Sequence, residues 1–414
     1  MNNGQNIPQG YKKTTIGFIP QGWEIKRLKT IVTPVKTFSY SRDKLSDNVQ
    51  TLIYIHYGDI HKSGEKYSVN LNVDRLPYLM DGILSENQIS ANDFPKLQSG
   101  DILLPDASED YDGIGHAWEL QNVGQQNVIG GLHTIAIRPN PQFVLLGYGS
   151  LMFYSWPVSK ALKRIAQGTK VYSISFNLID NIKILLPPLK EQQKIAEILG
   201  TWDKAIEMQT QLIKKLELRK KGLMQQLLTE KKRLPGFSDP WKEVKLGEIA
   251  SLYQPQTIQS EDLLSTGFPV YGANGLIGYY KKFNHELPQV VITCRGSSCG
   301  TVNYTPEKCW ITGNAMVLNV DNNQNINKTF FYFLISNSSF AHLISGSGQP
   351  QIVRQPLLKF ELLIPTFKEQ TAIAQVLTTA DREIELEQQK LELLRQQKRG
   401  LMQQLLTGKK RVKI

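Results

Sequence analysis

The chain has 414 residues, 41% of them hydrophobic and 21% charged, with a net charge of +11. That length exceeds one ordinary core, so two or more domains are expected. No run of about 18 apolar residues offers a membrane span, and the opening MNNGQNIPQGYKK lacks the apolar centre of a secretion signal, so a cytoplasmic protein is expected.

The basic balance favours polyanionic partners without saying which. Cys294, Cys299 and Cys309 follow a C-x4-C-x9-C spacing that matches no zinc pattern, and they read as reduced thiols. His56, His116 and His133 are scattered through the chain and suggest no metal site.

In chain order, residues 17–28 (GFIPQGWEIKRL) form an opening segment, followed by an apolar run that ends at Tyr57-Gly58. Asp101 to Leu104 reads as a strand, Leu151 to Ala166 as an apolar helical stretch, residues 168–174 (GTKVYSI) as a glycine loop, and Asn181 to Leu186 as a closing strand. From Pro187 a segment with heptad spacing reads as one long helix, with a seam of Leu199, Trp202, Ile206, Ile213, Leu216, Leu223 and Leu227.

The same order then returns. Residues 236–246 (GFSDPWKEVKL) resemble the opening segment, Tyr271-Gly272 follows an apolar run, and Gln289 to Thr293 reads as a strand. Thr329 to Ile344 is helical, residues 346–352 (GSGQPQI) form a glycine loop, and Lys359 to Ile364 is the closing strand. A second long helix begins at Pro365, with a seam of Leu377, Ala380, Ile384, Leu391, Leu394, Leu401 and Leu405.

The two helices align without a gap at an offset of 178 residues. Lys190-Glu191-Gln192 recurs as Lys368-Glu369-Gln370, and GLMQQLLT recurs from Gly222 and from Gly400. Such agreement is duplication. A narrow seam suits a coiled-coil partner, and two such helices in one chain most simply pair with each other in antiparallel fashion. The alternative is that each helix packs on its own domain. The expected fold is α+β: two β-rich globular domains, 1–186 and 236–364, joined by helices within 187–235 and 365–414, with a pseudo-twofold internal repeat.

At the KEQ helices and the GF…W opening segments, the chain resembles the specificity subunit of type I restriction–modification systems, over nearly its whole length. The resemblance implies that each globular part is a target recognition domain reading half of a split DNA site. It also implies that the helices set the spacer and dock two methyltransferase subunits, through which restriction (motor) subunits join. S-adenosylmethionine is then expected on the methyltransferase partner, with no cofactor, metal or catalysis on this chain.

Reading a base needs donors and acceptors at its edge, while cations on phosphates set position and affinity. In the first domain the candidates are His56, Tyr57 and Asp59 after the apolar run, Ser108 and Tyr111 in the loop 106–111, and Lys170, Tyr172 and Ser173 on the glycine loop. In the second they are Asn274, Tyr279, Lys281 and Lys282, then Arg295, Ser297 and Ser298, then Gln349, Gln351 and Arg354. Arginine suits guanine and glutamine suits adenine. The aromatic–glycine pairs read equally as tight turns with a packed ring. The cationic clusters Lys214-Lys215, Arg219 to Lys221 and Lys231 to Arg233 read equally as a solvated helix face.

No G-x-x-x-x-G-K-[ST] or G-x-G-x-x-G phosphate motif occurs, and Gly272 to Gly278 has the wrong spacing for the latter. Asp239-Pro240-Trp241 lacks the second proline of an adenine methyltransferase motif and aligns with the opening segment around Trp23, and no E-x-K follows Pro105-Asp106. A non-catalytic recognition protein is expected; the alternative is a coiled-coil scaffold with two peptide- or protein-binding domains.

Overall fold

The computed structural model describes residues 7–64, 66–87, 90–272, 275–346 and 348–414. The chain forms two units, Met1–Glu207 with Glu392–Ile414, and Met208–Leu391. In the first, a five-stranded sheet runs in the order Val32–Val35, Thr134–Pro139, Ile102–Pro105, Trp118–Gln121, Ser68–Asn70. Successive strand side chains point to opposite faces. Ile102 and Leu104 therefore join one core, and Leu103 joins another with Ile53, Ile55 and Val128. Burial on both faces explains why this strand is a continuous apolar run rather than an alternating one.

The second unit repeats the arrangement. Its sheet runs Ser251–Tyr253, Ala315–Asn319, Val290–Thr293, Val302–Tyr304. Val290 and Ile292 face one core, and Val291 faces the other. The parallel pairing of Val128–Gly130 with Leu52–Ile55 in the first unit returns as Trp310–Ile311 with Phe268–Gly272. The closing strands Lys183–Leu186 and Glu361–Ile364 each pair with an opening strand, Glu24–Arg27 and Lys242–Lys245.

The long helices span Leu189–Leu227 and Phe367–Leu406, 39 and 40 residues, or about 60 Å each at 1.5 Å per residue. Each unit holds the start of one helix and the end of the other. In the first, Glu191 accepts from Arg411 and Asp203 pairs with Lys398. In the second, Gln209 donates to the Glu387 carbonyl at 3.0 Å, Arg219 pairs with Glu383, Lys220 with Asp381, and Arg233 with Glu369. In both units one number rises as the other falls, so the paired segments run in opposite directions. None of the seam residues is exposed.

The duplication extends to these pairs. Asp203–Lys398 and Asp381–Lys220 are counterparts, as are Glu191–Arg411 and Glu369–Arg233. Each lysine also lies over an aromatic ring, Lys398 at 4.0 Å from Tyr67 and Lys220 at 5.5 Å from Phe333. A buried ammonium needs such company, because burial without a partner disfavours the charge.

The KEQ motif has a physical reason. The Gln192 Nε2 amide donates to the carbonyls of Phe143 and Pro187 at 2.8 and 2.9 Å, and its Oε1 accepts from Leu145 at 2.8 Å. Gln370 does the same with Asn325, Pro365 and Asn327, at 3.1, 2.9 and 2.8 Å. Both amides are buried, and both clamp a helix start to the loop after the sheet. Lys190 and Lys368 are exposed.

Candidate nucleic-acid interface

In the first unit, the Leu52–Ile55 strand delivers His56 to the start of the Tyr57–Lys62 helix. The His56 Nδ1 accepts from the Gly58 backbone at 3.1 Å while the Asp59 carboxylate accepts from the His56 backbone at 3.0 Å, a reciprocal cap. Accepting at Nδ1 requires an unprotonated nitrogen, and burial holds the His56 pKa below its ordinary value. The other Asp59 oxygen accepts from Arg42 at 2.8 Å. The Tyr57-Gly58 pair thus opens a helix, whereas Tyr271-Gly272 ends the Phe268–Gly272 strand.

The sheet exit at Asp106 meets the glycine loop. Ala107 pairs with Ser173 and Ser108 with Tyr172, and the Ile174 backbone donates to the Asp106 carbonyl at 2.8 Å. Gly168 has φ +119°, and a Cβ there would lie 2.0 Å from the Val171 carbonyl oxygen, so only glycine closes this loop. Lys170 projects from it, exposed. The Tyr111 ring meets Tyr172 edge-on at 5.0 Å, and its hydroxyl donates to the Lys163 carbonyl at 3.1 Å. Ser108 is buried, and its hydroxyl donates to the Asp110 carbonyl at 2.6 Å.

The fold brings His56 and Tyr57 beside this loop through residues absent from the candidate set. His61 Nε2 donates to the Ala107 carbonyl at 3.0 Å. Tyr57 meets His133 and His61 edge-on at 5.4 and 6.1 Å, and His133 Nδ1 bonds Asp106 at 3.0 Å. No sequence spacing links positions 61, 106 and 133. Among the described residues no group of His, Cys, Asp or Glu is arranged to hold a metal ion.

A cationic stripe was also missed. The Trp156–Ile165 helix contains no acidic residue, and Trp156, Lys160 and Arg164, four apart, are exposed, so they share one face. Lys160 lies over the Trp156 ring at 4.7 Å. Lys163 instead pairs with Asp112, and this stripe ends near the Tyr111–Tyr172 contact.

The second unit builds the same junction from other side chains. Arg295 pairs with Gln351, as Ala107 pairs with Ser173. The Ile352 backbone donates to the Cys294 carbonyl at 2.9 Å, and Gly296 donates to Pro350 at 3.0 Å. Gly346, 178 positions after Gly168, has φ +89°, and a Cβ there would lie 2.6 Å from the Gln349 carbonyl oxygen. The fold therefore joins Arg295, Ser297 and Ser298 to Gln349 and Gln351. Arg295, Ser297, Gln349 and Gln351 are exposed.

Tyr279 is half-buried on the Gly275–Tyr280 strand, bridged to Leu264, with Lys281 and Lys282 exposed just beyond. Asn274 lies outside the described residues. Arg354 opens the Arg354–Leu358 helix and lines a polar groove with Glu248, Asn319 and Asn322–Asn325. Of the helix cations, Arg219, Lys220 and Arg233 are engaged by Glu383, Asp381 and Glu369, while Lys214, Lys215, Lys221, Lys231 and Lys232 stay exposed. All three cysteines are free thiols.

No helix among the described residues is long and apolar enough to cross a membrane. The family model of the type I restriction modification DNA specificity domain matches residues 20–218 and again 238–396. The type I restriction enzyme MjaVIII specificity subunit of Methanocaldococcus jannaschii is 25% identical over 380 residues, covering 81% of this chain and 85% of that protein. The fold is also similar to that of a crystallised type I restriction–modification S subunit from M. genitalium, with TM-score 0.55, 16% identity and 98% of each chain covered. A chain from a study of complex assembly and conformational transition in the type I R-M system gives TM-score 0.57 at 18% identity, covering 94% of this chain and 99% of that one. Two matches to one specificity domain, falling on two units that share a framework and differ at the sheet exit, place this chain in the type I restriction–modification specificity family, as a specificity subunit with two target recognition domains.

Proposed function

We propose that the two domains, 1–186 and 236–364, each read one half of a bipartite DNA site. The helices within 187–235 and 365–414 pair as an antiparallel coiled coil, fix the spacer and dock two methyltransferase subunits. In this reading the chain catalyses nothing and works in the cytoplasm. S-adenosylmethionine binds the methyltransferases, and the restriction subunits join through that core. One observation carries the reading: the same backbone junction presents Ala107, Lys170, Tyr172 and Ser173 in one unit and Arg295, Gln349 and Gln351 in the other. A constant frame with changed donors is what two different half-sites require.

Sequencing methylated sites in cells carrying the chain with its methyltransferase is the test. A split, asymmetric motif is expected, and a single continuous motif or none would overturn the reading. Binding of the complex to random duplex DNA should fall linearly in log affinity with log salt, and Lys160→Gln and Arg164→Gln should each reduce that slope by about one. Binding that is flat with salt would favour the protein-scaffold alternative.

A further inference from the structure

The geometry points to His133 as a base-reading residue of the first half-site, a role that rests on the DNA-reading function proposed above. Its partner would be a base bearing an exocyclic amino group, adenine or cytosine. His133 sits in the turn between Val128–Gly130 and Thr134–Pro139 with φ +55°, a left-handed backbone conformation uncommon outside glycine, though histidine enters it more readily than most residues. The turn is held from three sides. The Leu132 backbone donates to the Tyr54 hydroxyl at 2.6 Å, the Tyr57 backbone donates to the Leu132 carbonyl at 3.4 Å, and the Asp106 backbone donates to the His133 carbonyl at 3.0 Å. Strained conformations persist where the surroundings over-determine them, and they cluster at functional sites.

The side chain is half-exposed, beside Asp106 at the sheet exit and edge-on to Tyr57. Its Nδ1–H donates to Asp106 Oδ1 at 3.0 Å, and in the neutral imidazole that bond leaves Nε2 as a lone-pair acceptor. An acceptor complements the amino group that adenine or cytosine shows in the major groove; guanine offers only acceptors there. The second unit supplies independent support. There the Cys294 backbone donates to the Asn314 carbonyl at 3.0 Å, as Asp106 does to His133, so Asn314 occupies the equivalent place and is also exposed. Two repeats thus present a hydrogen-bonding side chain from the same corner, with different chemistry.

The test is methylated-site sequencing with the specificity–methyltransferase complex carrying His133→Ala or His133→Gly, the latter free of the left-handed strain. The expected result is loss of discrimination at one adenine or cytosine position of the first half-site, a factor of about ten or more, with the second half-site unchanged and the melting temperature kept by His133→Gly. Asp106→Asn should weaken the same position and no other, and Asn314→Ala should act only in the second half-site. An unchanged motif for both His133 variants, or a uniform affinity loss across sequences, would overturn the inference, the second outcome marking a phosphate contact. Should wild type itself yield no bipartite motif, the functional reading fails instead.

Discussion

Gln192 and Gln370 make the same three hydrogen bonds in their respective units, whereas Ala107 and Arg295, which occupy one place at the sheet exit, share only their backbone pairing. The first comparison is between buried groups, whose partners are dictated because an unpaired polar group in the interior is costly. The second is between side chains at the surface, where the backbone is fixed by its own pairing and the side chain is free to change. Duplication has therefore kept this buried clamp and released the side chains at the sheet exits.

The framework half of this comparison predicts the largest effect. Gln192→Ala and Gln370→Ala each orphan buried backbone groups and should each cost about 3 kcal/mol in denaturant unfolding. Costs differing by more than about 1 kcal/mol would break the equivalence.

An asymmetry of similar size is expected in pH. Glu119 is buried on the Trp118–Gln121 strand, where burial pushes its carboxyl up to about 7 despite backbone donors from Gly147 and Ser150. The folded chain binds this proton more tightly than the unfolded one does. The stabilisation is therefore complete below about pH 4.5 and is lost as pH rises to about 7, by up to about 3 kcal/mol. Glu119→Gln should flatten that part of the stability profile. The corresponding place in the second unit holds Tyr304, which stacks on Tyr332 at 5.2 Å, so Tyr304→Phe should leave the profile unchanged between pH 4.5 and 7.

At the tips, Arg295→Ala should cost about 1–3 kcal/mol of discrimination at one base pair of the second half-site and leave the first intact, read from methylated sites. Relaxation in both halves would mean that the tips do not act separately.

The smallest effect separates two tryptophans. Trp23 Nε1 donates to Glu191 at 3.2 Å, while Trp241 Nε1 is buried with no hydrogen-bond partner among the described residues and has Arg233 over its ring at 5.9 Å. Trp23→Phe should cost about 1.5 kcal/mol for the lost bond to a carboxylate, and Trp241→Phe about 0.5 kcal/mol. Equal costs would place both rings in a purely packing role.

Much of the framework was legible because its signals are local or repeated. Heptads marked Leu199 and Leu377, apolar runs marked Ile102–Leu104 and Val290–Ile292, and the glycines at 168 and 346 marked loops that only glycine can close. The site was legible in part. Tyr172 pairs with Ser108 at the sheet exit of the first unit and Gln351 with Arg295 at that of the second, but Asp59 is engaged by Arg42 and the helix cap, Ser108 is buried, and Arg354 lines another groove. A polar residue in a loop carries no mark of whether its hydrogen bonds turn inward or outward.

By itself the sequence determined the duplication, the two long helices and the apolar strands at 101–104 and 289–293, because periodicity and exact recurrence are properties of the chain alone. Only the tertiary structure decided that His133 meets Asp106 and His61 meets Ala107, and that Lys398 lies buried between Asp203 and Tyr67. Those contacts join residues tens to hundreds of positions apart, and their energies depend on burial and on distances that no local pattern encodes.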